Sequence, residues 1–404
     1  MSARTVGAFT PNGKGRVALG GEPLVFHCNH YNYFLQSTLM LDPSLGMADV
    51  IRDAATAVVW NCLQAGGAGD RRQHAEAVFS ELGFGVIDLS QLTERGGTVT
   101  TPSSHYGQAL VVANEGKHFS AMQNLFDQGY AAAAAAYVFG LEAGAFSARG
   151  VSCMSTGAAR GEISVERCAT PRAIEPSPGM GPVSAPVTAI SVPSNIDEPA
   201  VLAALATLDF SGNEEGLIPR FGVILTRHFA NFYNRISFEF VRRMAGSGME
   251  DDARALLVEA GHRCAFNTFG GIMTSAEWDA VVKPQCKVTE DWVHGMVAVV
   301  NALGWGTWRV EKLDPATLTI AAHDDYESMG FLGMFGTAKQ PVAFLLQGGV
   351  RGLMNLVYPG HISSGPTLDT AYYARVFESP ECFTSTETRS RAQGADCTHV
   401  TASR

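Results

Sequence analysis

The chain has 404 residues, of which 46% are hydrophobic and 17% are charged, so it can bury a sizeable core and does not have the composition of a disordered protein. A formal net charge of −10 argues against nucleic acid, itself a polyanion, as a partner. No apolar run is long enough to cross a membrane, and no apolar run follows the first residues as in an export signal. We therefore predict a cytoplasmic protein whose eight cysteines are thiols.

A proline-rich segment divides the chain into two similar parts. Seven of the eighteen prolines fall between Pro171 and Pro199, and proline lacks the N–H group that helices and sheets need. We predict an N-terminal domain over 1–168, a linker over 169–199 and a C-terminal domain over 200–404.

The two parts repeat short sequence patterns in the same order, which predicts a duplicated unit. The matching pairs are HYNYF at 30–34 with HFANF at 228–232, LGFGVIDL at 82–89 with LGWGTWRV at 303–310, TVTT at 98–101 with TLTI at 317–320, and FDQGY at 126–130 with LLQGG at 345–349.

Each copy is predicted to be α+β, with helices first, then strands, then a further helix and closing strands. An aromatic helix starts near Tyr31 or Phe229. The remaining predicted helices are 49–65, 70–83 and 119–140 in the first copy, and 252–266, 288–303 and 341–358 in the second. Alternating apolar residues predict strands at 84–89, 98–101, 305–310 and 318–321.

The segment FHCNHYNYF at 26–34 places His27, Cys28 and His30 within four residues. A thiol beside imidazole can ionise and act as a nucleophile, and the same groups can bind a metal. The alternative is that they are packed residues at a strand-to-helix junction. In the repeat, His30 corresponds to His228, whereas His27 and Cys28 have no matching histidine or cysteine. We therefore predict a catalytic site here, with Cys28 at the mouth or wall of an apolar cavity near His27 or His30, as a nucleophile or a metal ligand.

The closing segment ETRSRAQGADCTHV at 387–400 could bind zinc, which needs about four N, S or O ligands. The candidates are Glu387, Cys397 and His399, with Cys382 five residues before Glu387. Strand alternation would put Cys397 and His399 on one face. The alternative is a buried cysteine and an exposed histidine at the chain end. The chain lacks the glycine-rich, Cys-x-x-Cys and Gly-x-Ser-x-Gly motifs of common nucleotide-binding proteins, metal-binding proteins and hydrolases.

The second half resembles the 4-vinyl reductase domain through LGWGTWRVEKL, PVAFLLQGGVRGL and STETRSRAQGADCTHV, over roughly 260–401. The first half matches more faintly, through ELGFGVIDL, LFDQGYAAAAAAYVFG and CMSTGAARGEISV. The resemblance implies a tandem of two such domains, a pocket for a hydrophobic or aromatic compound, and zinc held by closing Glu and Cys residues. Glu387 and Cys397 match those positions, but Ser390 stands where a further cysteine is expected.

Two functions remain open. The first is an enzyme that acts on a small hydrophobic or aromatic compound with Cys28 and the nearby histidines. The alternative is a non-catalytic binding or sensor protein for such a ligand. The duplication predicts an intramolecular pseudo-dimer, with a homodimer as the other possibility.

Overall fold

The computed structural model describes residues 9–11, 16–66, 69–181 and 192–404, so positions 182–191 of the predicted linker lie outside the described residues. The α-helices are α1 Asn29–Leu39, α2 Met47–Gln64, α3 Arg71–Glu81, α4 Leu110–Ala113, α5 Leu125–Val138, α6 Glu198–Leu205, α7 Ala230–Ala245, α8 Glu250–Met273, α9 Ala276–Val281, α10 Thr289–Ala302, α11 Tyr326–Phe335, α12 Phe344–Val357 and α13 Thr370–Phe377. None of the helices in these ranges is both long and apolar enough to cross a membrane.

The strands form three antiparallel sheets, so the fold is mixed α and β. They are β1 Thr10–Pro11, β2 Val17–Leu19, β3 Glu22–Cys28, β4 Gly85–Asp88, β5 Gly96–Ser104, β6 Phe146–Ser152, β7 Gly161–Arg167, β8 Ile218–Arg220, β9 Val223–Phe229, β10 Thr307–Asp314, β11 Thr317–His323, β12 Thr384–Arg389 and β13 Thr398–Ser403. Short 3-10 turns and a π-helical turn at His105–Ala109 connect some of them.

Each half contributes one four-stranded sheet, and the two sheets have the same strand order. The first runs β4-β5-β7-β6 and the second β10-β11-β13-β12. A buried helix packs on each sheet, α5 on the first and α12 on the second. Alternating apolar residues of the strands meet these helices and form the core of each half.

A glycine near the start of each of these helices allows a second helix to approach closely. A Cβ at Gly129 of α5 would overlap the carbonyl oxygen of Arg52 in α2, and a Cβ at Gly348 of α12 would overlap that of Val258 in α8. Both glycines follow a glutamine in the sequence. The repeated Gln-Gly pair therefore marks the same helix contact in both halves.

The third sheet joins the halves, because its central pair is β3 from the first half and β9 from the second. The strand order is β1-β2-β3-β9-β8, and the register places Phe26 opposite Arg227. Each of the two central strands has seven residues and is followed directly by a helix, α1 or α7. Helix α1 packs on α8, and α7 packs on α2, so contacts between the halves extend beyond the sheet.

The strand bounds correct the predicted correspondence of histidines. Both β3 and β9 end one residue after a histidine, so His228 takes the position of His27, and Phe229 takes the position of Cys28. The sequence match of His30 with His228 was wrong by three residues. It followed a chance agreement of His and Phe spacing, whereas the boundary between strand and helix decides which positions are equivalent.

Candidate functional site

An apolar cavity of about 430 Å³ lies on one face of the central sheet. We call it the sheet cavity. Both halves contribute to it, and its lining residues are Arg16, Val17, Leu24, Phe26, Leu202, Leu205, Ala206, Leu208, Phe210, Phe221, Arg227, Asn301, Ala302, Leu303 and Gly304. Its volume is within the range of small-molecule sites, which are concave and mostly apolar with a few polar groups.

Strand alternation determines which side chains reach this cavity. Leu24 and Phe26 of β3 share one face, and His27 points to the other. Helix α6 and the segment that follows it supply the opposite wall. The first residue of α6, Glu198, is held by Arg309 at 3.1 Å and by the side-chain amide of Asn301 at 2.8 Å. This polar anchor fixes α6 beside the end of α10.

Two arginines are the charged residues of the lining. Arg227 lies under aromatic rings, with its guanidinium carbon 4.5 Å from the ring centroid of Phe9 and 4.9 Å from that of Phe26. Burial lowers the pKa of Arg227, while Glu81 and Asp209 raise it. Sequence reasoning missed this site. The one signal was an arginine in the strand VILTRHF, whose other residues carry no fixed charge.

The opposite face of the central sheet carries buried histidines and tyrosines. The His27 Nε2 atom lies 3.2 Å from the Tyr326 hydroxyl, and the His228 Nε2 atom lies 3.1 Å from the Tyr106 hydroxyl. The ring of Tyr233 sits between the two imidazoles, 4.5 Å from His27 and 4.6 Å from His228. Burial lowers the pKa of both histidines well below the usual value, so both are neutral.

This histidine–tyrosine region is closely packed. The cavity beside it has a volume of about 10 Å³ and is bounded in part by Asn32, Tyr106 and Tyr233. That volume is about what one water molecule needs. The region therefore holds the halves together and has no room for an organic ligand in this conformation.

Cys28 lies at the N-terminus of α1 and is fully buried. Its Sγ atom lies 2.7 Å from the Thr268 hydroxyl, and the Cys264 Sγ atom lies 3.1 Å from the same hydroxyl. Burial would raise the pKa of the Cys28 thiol, but hydrogen bonds from Cys264, Thr268 and the first N–H groups of α1 lower it. The thiol does not line the sheet cavity.

His30 has a different environment from its neighbours. It lines a groove of about 750 Å³ between α1 and α8, together with Tyr33 and Arg263. Burial lowers its pKa to about 4. Cys28 contacts α8, His27 contacts Tyr326, and His30 faces the groove, so the structure does not direct the three predicted catalytic groups at one point.

The predicted zinc ligands are also apart. Glu387 accepts a hydrogen bond of 2.9 Å from the N–H of Ala343 beside the start of α12, and burial raises its pKa to about 7. Cys382 accepts one of 2.8 Å from the side-chain amide of Asn355. Cys382 lies two residues before β12 and Glu387 lies within it, and their partners Ala343 and Asn355 lie near opposite ends of α12.

The remaining two candidates do contact each other. The Cys397 Sγ atom lies 3.1 Å from His399 Nε2, and His399 Nδ1 lies 3.2 Å from a carboxylate oxygen of Glu311. Among the residues that the structure describes, no group of three or more His, Cys, Asp or Glu side chains could hold a metal ion. The structure therefore does not bring the expected set of Glu387, Cys382, Cys397 and His399 together as one such group.

Comparisons with known proteins show no family for this chain. No family model matches it, and no curated protein matches it. Among solved structures, it is similar to the phenol-responsive sensory domain of the transcription activator PoxR in its crystal structure with phenol. The identity is 14%, the match covers 51% of this chain and 90% of that chain, and the TM-score is 0.35. Likeness at this level supports no argument about fold or ligand, and the 4-vinyl reductase resemblance stays a prediction.

Proposed function

We propose that this protein binds a small hydrophobic or aromatic molecule in the sheet cavity, as a binding or sensor protein. The observation that carries the proposal is the apolar cavity of about 430 Å³, walled by Leu24, Leu205 and Phe221 among others. Transfer of apolar surface from water into such a cavity is favourable by roughly 25 cal/mol per Å² buried. A ligand of this class would therefore bind without any reactive group in the protein.

We also propose that the two halves arose by duplication and form an intramolecular pseudo-dimer. Three observations support this idea: the common strand order of the two four-stranded sheets, the paired seven-residue strands β3 and β9, and the equivalent glycines Gly129 and Gly348. In such an arrangement the sheet cavity lies where the two halves meet. A ligand there would bridge both halves and stabilise their contact.

The enzymatic interpretation depends on Cys28, His27 and His30. The thiol pKa of Cys28 is lowered at the N-terminus of α1, as in many reactive cysteines. However, the thiol is fully buried, and His27 and His30 face other surroundings. Binding is therefore the function that the geometry supports best.

The test is a titration with N-phenyl-1-naphthylamine, a neutral apolar dye that fluoresces in apolar sites. We expect saturable binding of one dye per chain. The variant Ala302→Trp places a large ring at the cavity wall and should weaken dye binding at least tenfold. The control Ala203→Trp lies on the exposed side of α6 and should change it less than twofold.

Thermal unfolding of both variants shows whether they fold. Dye fluorescence that does not saturate, or that Ala302→Trp and Ala203→Trp leave equally unchanged, would show that the sheet cavity is not the binding site.

A further inference from the structure

Arg227 places a cationic group on the wall of an otherwise apolar cavity. It lies on β9, beside the central strand β3 and opposite Phe26 in register, and it is partly buried. The guanidinium is held beneath the rings of Phe9 and Phe26. A cation in this position is costly unless an anion or a hydrogen-bond acceptor compensates it.

The protein supplies little of that compensation. Within the described ranges, the guanidinium of Arg227 contacts the rings of Phe9 and Phe26, which offer no carboxylate or carbonyl oxygen to its N–H groups. Glu81 and Asp209 act on it only from a longer distance. The aromatic rings stabilise the cation but carry no formal negative charge. Arginine stays protonated at any ordinary pH, so the charge persists.

Arg16 also borders this cavity. It is 4% exposed, and Asp324 and Asp325 raise its pKa against the effect of burial. Its charge therefore has acidic neighbours behind the wall, whereas the charge of Arg227 faces the cavity. Arg227 therefore supplies the cationic group of a mostly apolar cavity.

We propose that the ligand of the sheet cavity is an apolar carboxylic acid, whose carboxylate binds Arg227 and whose hydrocarbon or aromatic body lies against Leu24, Leu205 and Phe221. The guanidinium can donate two parallel hydrogen bonds to a carboxylate, a geometry that a neutral ligand does not use. This inference rests on the proposed binding function, and it adds the chemical class of the ligand.

The test compares two ligands of similar shape and different charge, 2-naphthoate and 2-naphthylmethanol, as competitors of N-phenyl-1-naphthylamine. The variant Arg227→Met keeps apolar bulk and removes the charge. We expect it to weaken 2-naphthoate at least tenfold and 2-naphthylmethanol less than twofold, because only the acid loses a charge-assisted hydrogen bond. Arg160→Met removes an exposed charge elsewhere and should leave both ligands unchanged.

Binding of the neutral alcohol also reports that Arg227→Met is folded. If that variant does not fold, Arg227→Lys keeps the charge without the paired donors, and it should weaken 2-naphthoate but not the alcohol. Equal changes for both ligands, or none for either, would overturn the role of Arg227 while leaving cavity binding in place. Absence of dye binding in the wild-type protein would instead overturn the proposed function, and this inference with it.

Discussion

His27 of β3 and His228 of β9 make the same contact from equivalent positions in the two halves. Each imidazole reaches a tyrosine hydroxyl of the opposite half, His27 at 3.2 Å from Tyr326 and His228 at 3.1 Å from Tyr106. Tyr326 is the first residue of α11, which follows β11, and Tyr106 lies in the π-helical turn that follows β5. Strands β5 and β11 hold the same place in the order of their sheets. A histidine of each half thus contacts a tyrosine of the other half.

Because the two contacts match, we expect the free energy of unfolding to show similar coupling in the His27–Tyr326 pair and in the His228–Tyr106 pair. Removing one partner, as in His27→Phe, takes the imidazole away from the buried Tyr326 hydroxyl, which then keeps Tyr31 as a partner. The change should destabilise the protein by about 1–3 kcal/mol. The double variant His27→Phe/Tyr326→Phe should be more stable than the sum of the single effects predicts, by on the order of 1 kcal/mol. Urea unfolding measures both.

The matched cycle is His228→Phe with Tyr106→Phe, and it should give a similar coupling energy. Additive effects in one pair and coupling in the other would show that the two contacts are not equivalent.

Cys28 should be unreactive in the native protein. Its side chain is fully buried, whereas Cys168 and Cys286 are partly exposed. After brief treatment with iodoacetamide, peptide mass spectrometry should find Cys168 and Cys286 modified and Cys28 unmodified. In urea, Cys28 should react as fast as the others. Rapid native labelling of Cys28 would contradict the packing described and would favour the enzymatic interpretation.

Glu387 should make stability depend on pH in a definite direction. Burial raises its pKa to about 7, against about 4.3 in an unfolded chain. Between these values the folded protein binds the extra proton, so wild type gains stability as pH falls from about 8 to 5. The variant Glu387→Gln is neutral throughout and lacks this gain.

Unfolding in urea at pH 8 and pH 5.5 measures the effect. Wild type should gain about 2 kcal/mol relative to Glu387→Gln between the two conditions. A constant difference between the two proteins would show that the carboxyl group has an ordinary pKa in the folded state.

Removal of metal should leave the fold unchanged. The expected ligands Glu387 and Cys382 contact different places, Ala343 just before α12 and Asn355 near its end. Incubation with EDTA, or addition of zinc, should change Tm by less than about 1 °C. A rise of several degrees with zinc that Cys397→Ser abolishes would restore the metal site inferred from sequence.

Many helices could be predicted from the sequence because their patterns are local. The apolar spacing of 49–65 and 288–303 predicted α2 Met47–Gln64 and α10 Thr289–Ala302 to within two residues, and these predictions are confirmed. Alternation similarly located β4 and β10. Apolar residues that recur every 3.6 residues indicate the buried face of a helix, and those that recur every second residue indicate the buried face of a strand. A glycine or a capping residue indicates where the element ends.

The sheet that joins the halves was decided by tertiary structure alone. Strands β3 and β9 are separated by nearly half the chain, and neither strand specifies its partner or its register. A shift of three residues in the sequence match was enough to assign His228 to the wrong position. The strand boundary corrected it, because the geometry of pairing depends on the backbone and not on chance identities.

The sequence by itself determined an acidic chain rich in apolar residues and with a mixed α and β character. Only the tertiary structure showed that Cys28 is enclosed and that Arg227 stands in a cavity. The physical reason is the distance along the chain over which each effect acts. Propensity and periodicity act over a few residues, whereas a cavity and the charges around it are set by side chains that lie far apart in the chain and meet only when it folds.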